Sequence, residues 1–250
     1  MRHLNVLLAP DSFKDSLSSP DVCLTMKKAL EQELPSADII SLPLADGGEG
    51  TAEAAVRATR GELRTVAASD PLGRAINASY GIIGGGRTAI IEMASASGLE
   101  KLTYDERRPL QTTSYGTGQI LNAVMDEGFE DIIVAVGGSA TVDGGMGMAQ
   151  ALGYRFFDAN DQLITEHCSG GTIDKIFRID STQAHPRLAQ VRIRVACDVE
   201  NPLLGPNGAA PVFAPQKGAS PEQVETLSAG LAHLVKLWEK HHLQPASDHP

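Results

Sequence analysis

Ile132-Ile133-Val134-Ala135-Val136 runs directly into Gly137-Gly138-Ser139-Ala140-Thr141-Val142-Asp143-Gly144-Gly145. The apolar run reads as a buried strand, the glycines as a tight loop, and the stretch from about Gly145 to Leu152 as a helix. The same grammar stands nearer the N-terminus. Ile39-Ile40-Ser41-Leu42-Pro43-Leu44 leads to Asp46-Gly47-Gly48-Glu49-Gly50, and a helical pattern from Glu49 to about Arg60 follows, stopped by Gly61. Strand, glycine loop and helix in this order predict a parallel α/β sheet. Each loop would aim backbone N–H groups and the positive end of a helix at one spot. Glycine admits a bulky anion close to the backbone, and a neighbouring carboxylate can hold a metal ion. The pattern therefore points to phosphate together with Mg2+.

Working outward, Leu4–Ala9 reads as the first strand. Ser19-Pro20-Asp21 then reads as N-cap, N1 proline and first-turn acid of a helix whose stripe is Val22, Met26, Ala29 and Leu30, ended by Pro35. Past residue 61 the texture changes. Leu63–Ala67, Ala75–Ile83 and Thr88–Met93 are short β-like runs separated by Asp70-Pro71-Leu72-Gly73 and Gly84-Gly85-Gly86, which suggests an antiparallel section and a domain change. A helix is expected from Gly118 to Gly128 and a strand over Val191–Cys197. The proline- and glycine-rich stretch from Asp198 to Gln216 reads as loop with one short strand, Pro211–Ala214. Val224, Leu227, Leu231, Leu234, Val235 and Trp238 mark an amphipathic helix near the end.

The 250 residues carry 21 basic and 31 acidic side chains, a formal charge of −10. That balance argues against a nucleic-acid partner, which needs a basic footprint. It does not forbid an anionic substrate, because charges beyond a Debye length of ~8 Å are largely screened. Cys23, Cys168 and Cys197 are far apart without CxxC spacing and read as reduced thiols of a cytoplasmic protein. The N-terminal apolar run is too short for a signal peptide, and no stretch approaches 18 apolar residues, so no membrane span is expected.

Several common motifs are absent: GxxxxGK[ST], GxGxxG after a strand, GxSxG and HExxH. What the chain offers instead is a set of loops after strands, where open parallel sheets bind ligands. Asp11-Ser12-Phe13-Lys14 follows the first strand with an acid, a hydroxyl and a lysine. Alone it is an ordinary turn, but beside the Asp46–Gly50 loop it reads as a site. Asp46 and Glu49 could hold a metal or take a proton from a hydroxyl, and they could equally cap the next helix. The glycines of 137–147 ask for a reason, since each costs ~1 kcal/mol in a helix. Close approach of phosphate is one reason, and a tight turn capped by Asp143 is another. Asp198 follows a strand in the same way, and Lys217 is either a second cation of the site or a solvated surface lysine. A lysine ~4 Å from phosphate contributes on the order of 4 kcal/mol at an effective dielectric of 20, against ~0.3–2 kcal/mol from a helix N-terminus. Lysine and metal must therefore dominate any neutralisation of ATP.

In order along the chain, Ala9-Pro10-Asp11-Ser12-Phe13-Lys14-Asp15-Ser16-Leu17, Pro43-Leu44-Ala45-Asp46-Gly47-Gly48-Glu49-Gly50-Thr51, Ile91-Glu92-Met93-Ala94, Gly137–Gly145, Ala196-Cys197-Asp198-Val199 with Asn201-Pro202-Leu203, and Gln216-Lys217-Gly218-Ala219 together resemble the bacterial glycerate kinases that include enzymes of glyoxylate and galactarate metabolism. Val142 stands where the family pattern usually has asparagine. The resemblance implies two units: residues 1–61 as the N-terminal part of a Rossmann/flavodoxin-like parallel sheet, and residues 62–250 as a second mixed α/β domain. Family members are considerably longer and complete the first sheet with their C-terminal part, so the chain is expected to be a truncated product. The implied activity is ATP- and Mg2+-dependent phosphorylation of D-glycerate to 2-phosphoglycerate, the alternative being an inactive remnant. By the same resemblance Lys14 would contact phosphate or carboxylate, and Asp46 or Asp198 would take the hydroxyl proton. Glu49 or Asp198 would hold Mg2+. Asp11, Ser12, Gly47, Gly48, Gly50, Gly137, Gly138, Ser139, Thr141, Asp143 and Lys217 would bind substrate or phosphate. A homo-oligomer is compatible with all of this.

Overall fold

The computed structural model describes residues 4–11, 13, 16–45 and 47–240. The chain opens with β1 (Asn5–Leu8), α1 (Ser19–Glu33) and β2 (Asp38–Ser41), and the two strands pair in parallel with Leu7 opposite Ile40. On the inner face Leu8, Val22 and Cys23 are buried, which fixes α1 against the strand pair. The helix starts one residue earlier than its Ser-Pro-Asp signal implies. Ser18 is the N-cap, its hydroxyl accepting from the Asp21 amide, while Ser19 turns its hydroxyl to the Pro10 carbonyl at 2.8 Å. Proline at the second helical position costs nothing, since that amide has no partner in the helix.

After α2 (Thr51–Thr59) the chain builds a five-stranded sheet from β3 (Glu62–Ser69), β4 (Ala75–Ile83), β5 (Thr88–Glu92), β6 (Asp131–Ala135) and β9 (Arg192–Ala196), in the spatial order β3-β4-β5-β6-β9. The first three run antiparallel and the last three parallel. The result is the mixed α/β architecture expected, with its parallel part in β5, β6 and β9. Short α3 (Met93–Ser97) follows β5, and α4 (Tyr115–Asp126) covers the sheet. Ile120, Leu121, Val124 and Met125 of α4 meet Tyr80, Ile91, Ile132 and Val134 in one core.

A second core lies beyond α5 (Met146–Ala151), which is followed by the small β7 (Arg155–Phe157) and β8 (Arg178–Asp180) ladder. There α6 (Ala209–Phe213) packs on α7 (Pro221–Lys240), and α7 packs on the 3-10 turn Ile173–Lys175, with Leu227, Leu231 and Leu234 fully buried beside Phe156, Ile173 and Ile176. The helix α6 replaces the strand expected at Pro211–Ala214. Gly208 is its N-cap and Pro211 sits in the first turn, where a missing N–H is no loss. Among the described residues no helix is long and apolar enough to cross a membrane.

Candidate functional site

Four strands, β1, β2, β6 and β9, end at one place. The chain after β1 and the chain after β2 stay paired as far as the Leu44 amide and the Pro10 carbonyl, 3.0 Å apart. The Gly47 carbonyl then accepts from the Gly137 amide at 2.9 Å, and the Val136 amide donates to Ala196 at the end of β9. The loops that carry Asp11, Glu49, Gly137 and Asp198 are thereby laced together by main-chain bonds. They open on a cleft of about 820 Å3 lined by Asp11, Gly48, Glu49, Gly137, Gly138, Ser139, Asp198 and Lys217. Glu100, Arg107, Cys197, Phe13 and Phe213 are also in its walls. Ser12, Lys14 and Asp46 lie outside the described residues.

The glycines have reasons of their own. A Cβ on Gly137 would sit 2.7 Å from Gly48 Cα, and a Cβ on Gly147 would strike the Thr113 hydroxyl. Both positions are glycine because another part of the chain passes against them. The helix N-termini behind the loops are likewise filled from within. At α2 the N-cap is Gly50, in the left-handed region at φ 83°. The capping carboxylate comes from Glu92 at the end of β5, which accepts from the Ala52 amide at 2.5 Å. Burial is the main influence on this carboxyl and pushes its pKa up, against the lowering effect of the Ala52 and Gly50 amides. The capping box considered from sequence rests on Asp46, which lies outside the described residues.

At α5 the acceptor is Asp143, which is only 1% exposed. Its carboxylate takes bonds from the Ser114 amide and hydroxyl at 2.8 and 2.6 Å, and from the Gly145 and Gly147 amides at 3.1 and 3.2 Å. The Ser114 hydroxyl also accepts from the Met148 amide. Asp143 is thus held by four donors in the interior: it shapes the loop and is not among the residues lining the cleft. Val142 points into the second core, which explains an apolar residue in a glycine-rich loop.

Lys217 is not the solvated lysine that its turn-like surroundings allowed. It is buried, and its ammonium donates to Ser139 Oγ at 2.8 Å and to the Thr141 carbonyl at 2.7 Å. Burial lowers its pKa to about 8, with Asp143 pulling the other way. Ser139 and Thr141 serve the site by holding this lysine. An ammonium has three N–H bonds, and these contacts use two.

The cleft therefore carries both signs. Asp11, Glu49 and Asp198 come from the loops around Gly48 and Gly137, while Lys217 sits where the same glycine loop reaches Ser139 and Thr141. Hard oxygen donors suit Mg2+, which takes one or two carboxylates and completes its shell with phosphate and water. Among the described residues no group of three or more His, Cys, Asp or Glu side chains is placed to hold a metal ion. Sequence reasoning missed Arg107, Glu92 as a cap, and Ser114. A carboxylate ending the apolar run Ile90-Ile91 was a readable signal for Glu92. Arg107 had none.

Comparison with known proteins agrees with this arrangement. The family described as the glycerate kinase family matches residues 6–250. A glycerate kinase of Haemophilus influenzae and a glycerate 2-kinase of Escherichia coli are each 46% identical over 237 residues, covering 95% of this chain and 62% of the relative. A glycerate kinase of Bacillus subtilis is 44% identical over the same length. The crystal structure of a glycerate kinase 2 from Salmonella typhimurium superposes with a TM-score of 0.83 at 45% identity, over 98% of this chain and 66% of that one. The chain thus spans 62% of the length of the curated relatives it matches. On the family match over residues 6–250 and these identities, the chain belongs to the glycerate kinase family.

Proposed function

We propose that the chain transfers the terminal phosphoryl group of ATP to a hydroxyl of D-glycerate, giving 2-phosphoglycerate, with Mg2+ and in the cytoplasm. The observation that carries the reading is the single cleft in which Asp11, Glu49, Asp198, Gly137 to Ser139 and Lys217 converge. Phosphoryl transfer needs positioning and charge neutralisation more than covalent chemistry, and this cleft supplies both. The acceptor oxygen forms its bond to phosphorus as the bond to the ADP oxygen breaks. Asp198 or Asp46 takes the hydroxyl proton. Glu49, or whichever of those two aspartates is not the base, would hold Mg2+, which supplies charge neutralisation on the phosphates. Lys14 and Lys217 are the cations for phosphate or carboxylate, and Asp11, Ser12, Gly47, Gly48 and Gly50 position the groups around them. We divide the chain at residue 61, so that the cleft takes loops from both units.

A second reading is a remnant that binds without turnover. It is favoured by the exposed β1–β2 face, where Leu7 is 60% and Ile40 62% exposed. Coupled turnover of the purified 250-residue chain with ATP, Mg2+ and D-glycerate separates the two, with 31P NMR of the product to locate the phosphate. Turnover that Asp198→Asn lowers by about 100-fold or more supports the kinase. Retained ATP and glycerate binding without ADP release supports the remnant.

A further inference from the structure

The cleft contains a cation that neither the sequence reading nor the proposed chemistry uses. Arg107 follows the single 3-10 turn Tyr104–Glu106 and is only half-exposed in the cleft wall. Several arginines of the chain are matched with carboxylates, among them Arg74 with Asp70 and Glu106, Arg155 with Asp180, and Arg194 with Asp131. Arg107 has no carboxylate partner among the described residues, and its buried Nε makes no hydrogen bond there. The Arg155 Nε is also unpaired, but that side chain is anchored through Nη2. Arg107 has only the Tyr104 ring, 5.7 Å from its Cζ.

The backbone fixes where this arginine stands. Gly218, with φ +91°, packs directly on the Arg107 carbonyl, so that any Cβ there would collide with it. Residue 218 follows Lys217, so Arg107 and Lys217 occupy one wall. They are the only cations among the described residues lining the cleft. Of the cleft's carboxylates, Asp11, Glu49 and Asp198 belong to the loops around Gly48 and Gly137, and Glu100 lines it from the 3-10 turn Leu99–Lys101. The buried, unbonded Arg107 Nε is costly unless an anion joins it. The planar fork of the guanidinium fits the two oxygens of a carboxylate, and Lys217 has an N–H to spare.

We infer that Arg107, with Lys217 beside it, is the receptor for the carboxylate of the acceptor substrate, and so selects a hydroxy acid over a neutral polyol. This rests on the reading of the cleft as a glycerate kinase site. It leaves the acidic loops for the metal and nucleotide.

The test is direct binding of D-glycerate, of its neutral amide glyceramide and of MgATP to the 250-residue chain by titration calorimetry or ligand-observed NMR, with coupled turnover recorded in parallel. Arg107→Gln is expected to weaken D-glycerate about 10- to 100-fold and to leave glyceramide and MgATP within about threefold. Arg107→Lys keeps a cation but loses the fork, is expected to fall between, and decides the matter if the glutamine variant fails to fold. Arg108→Gln, an exposed neighbour outside the cleft, is the control and should bind as the parent does. The proposal is overturned if D-glycerate binds the glutamine variant as well as the parent, if the parent does not prefer D-glycerate to glyceramide, or if MgATP weakens in the same proportion. Carboxylate binding that needs Arg107, without phosphoryl transfer, would leave the proposal standing and sink the kinase reading instead.

Discussion

Lys217 keeps an ammonium in a place that disfavours charge, and the consequence is readable against pH. Its pKa falls from an ordinary 10.5 to about 8 in the folded chain. Below pH 8 both folded and unfolded chains carry the proton, and the burial cost is fully present. Between pH 8 and 10.5 the unfolded chain binds more protons, so stability rises with pH. Against a Lys217→Met variant, the parent should gain on the order of 3 kcal/mol across that window, measured as the difference in urea unfolding free energy. Using the difference cancels Cys168, whose thiol burial pushes up to about 12 and whose effect on stability runs the other way above pH 9. A flat difference would mean the lysine is not desolvated as described. Anion affinity should fall over the same range, because the folded lysine loses its charge. Asp143 gives a companion prediction. Asp143→Ala leaves the Ser114, Gly145 and Gly147 donors unpaired in the interior and should destabilise by about 3–5 kcal/mol, while Asp143→Asn, which keeps an acceptor oxygen, should cost less.

At the scale of elements, α2 is held at its start by a carboxylate from β5 and α7 by an apolar stripe, and the two make different predictions. Glu92→Ala strips the Ala52 amide of its acceptor in a buried setting and should cost about 1–3 kcal/mol, with faster hydrogen exchange at Ala52. Glu92→Gln keeps an oxygen and should lose under about 1 kcal/mol. Equal losses would mean that the charge, and not the bond, holds the helix. Leu231→Ala in α7 should cost about 2–5 kcal/mol through the cavity it opens. These elements differ in how far they could be read. The stripe Leu227, Leu231, Leu234 announces α7 because its spacing is local. The strands ending at Ser41, Ala135 and Ala196 were legible for the same reason: short β-branched runs, the first two near glycine or proline and the last alternating with Arg192 and Arg194. The filling of the α2 and α5 N-termini was not legible, because Glu92 lies 40 residues from Ala52 and Ser114 29 from Asp143, and pairing at such separations is decided by the fold. Helix α6 was misread because Pro211 counts as a breaker only in a helix interior, and nothing local says which turn it will occupy. The cleft shows the same division. Asp11, Glu49 and Asp198 announced themselves by following strands, while Arg107 sits in a polar stretch whose only distinction is what packs against it.

At the scale of the whole molecule, the β1–β2 pair and the five-stranded sheet are not equally secured. The five-stranded sheet is covered by α4 and buries Ile91, Ile132 and Val134. The β1–β2 pair has only two strands, and such a pair is at best marginal alone. Leu7 and Ile40 face each other across it and are 60% and 62% exposed. Hydrogen exchange should therefore be unequal: the amides of β1 and β2 should exchange far earlier than those of β6 at pH 7. The outer face gives the sharper test. If Leu7 and Ile40 are solvated in the working form of the chain, changing both to lysine removes no burial, and stability should stay within about 0.5 kcal/mol of the parent. Self-association should fall, since an apolar patch on a sheet with open edges invites pairing. Analytical ultracentrifugation beside urea unfolding reads both quantities. A loss of several kcal/mol would show instead that the face is buried in solution. Retained stability with less association would place the weak point of the fold at the β1–β2 pair. That pair presents Asp11 to the cleft, so the order of the site would then depend on the least protected element of the chain.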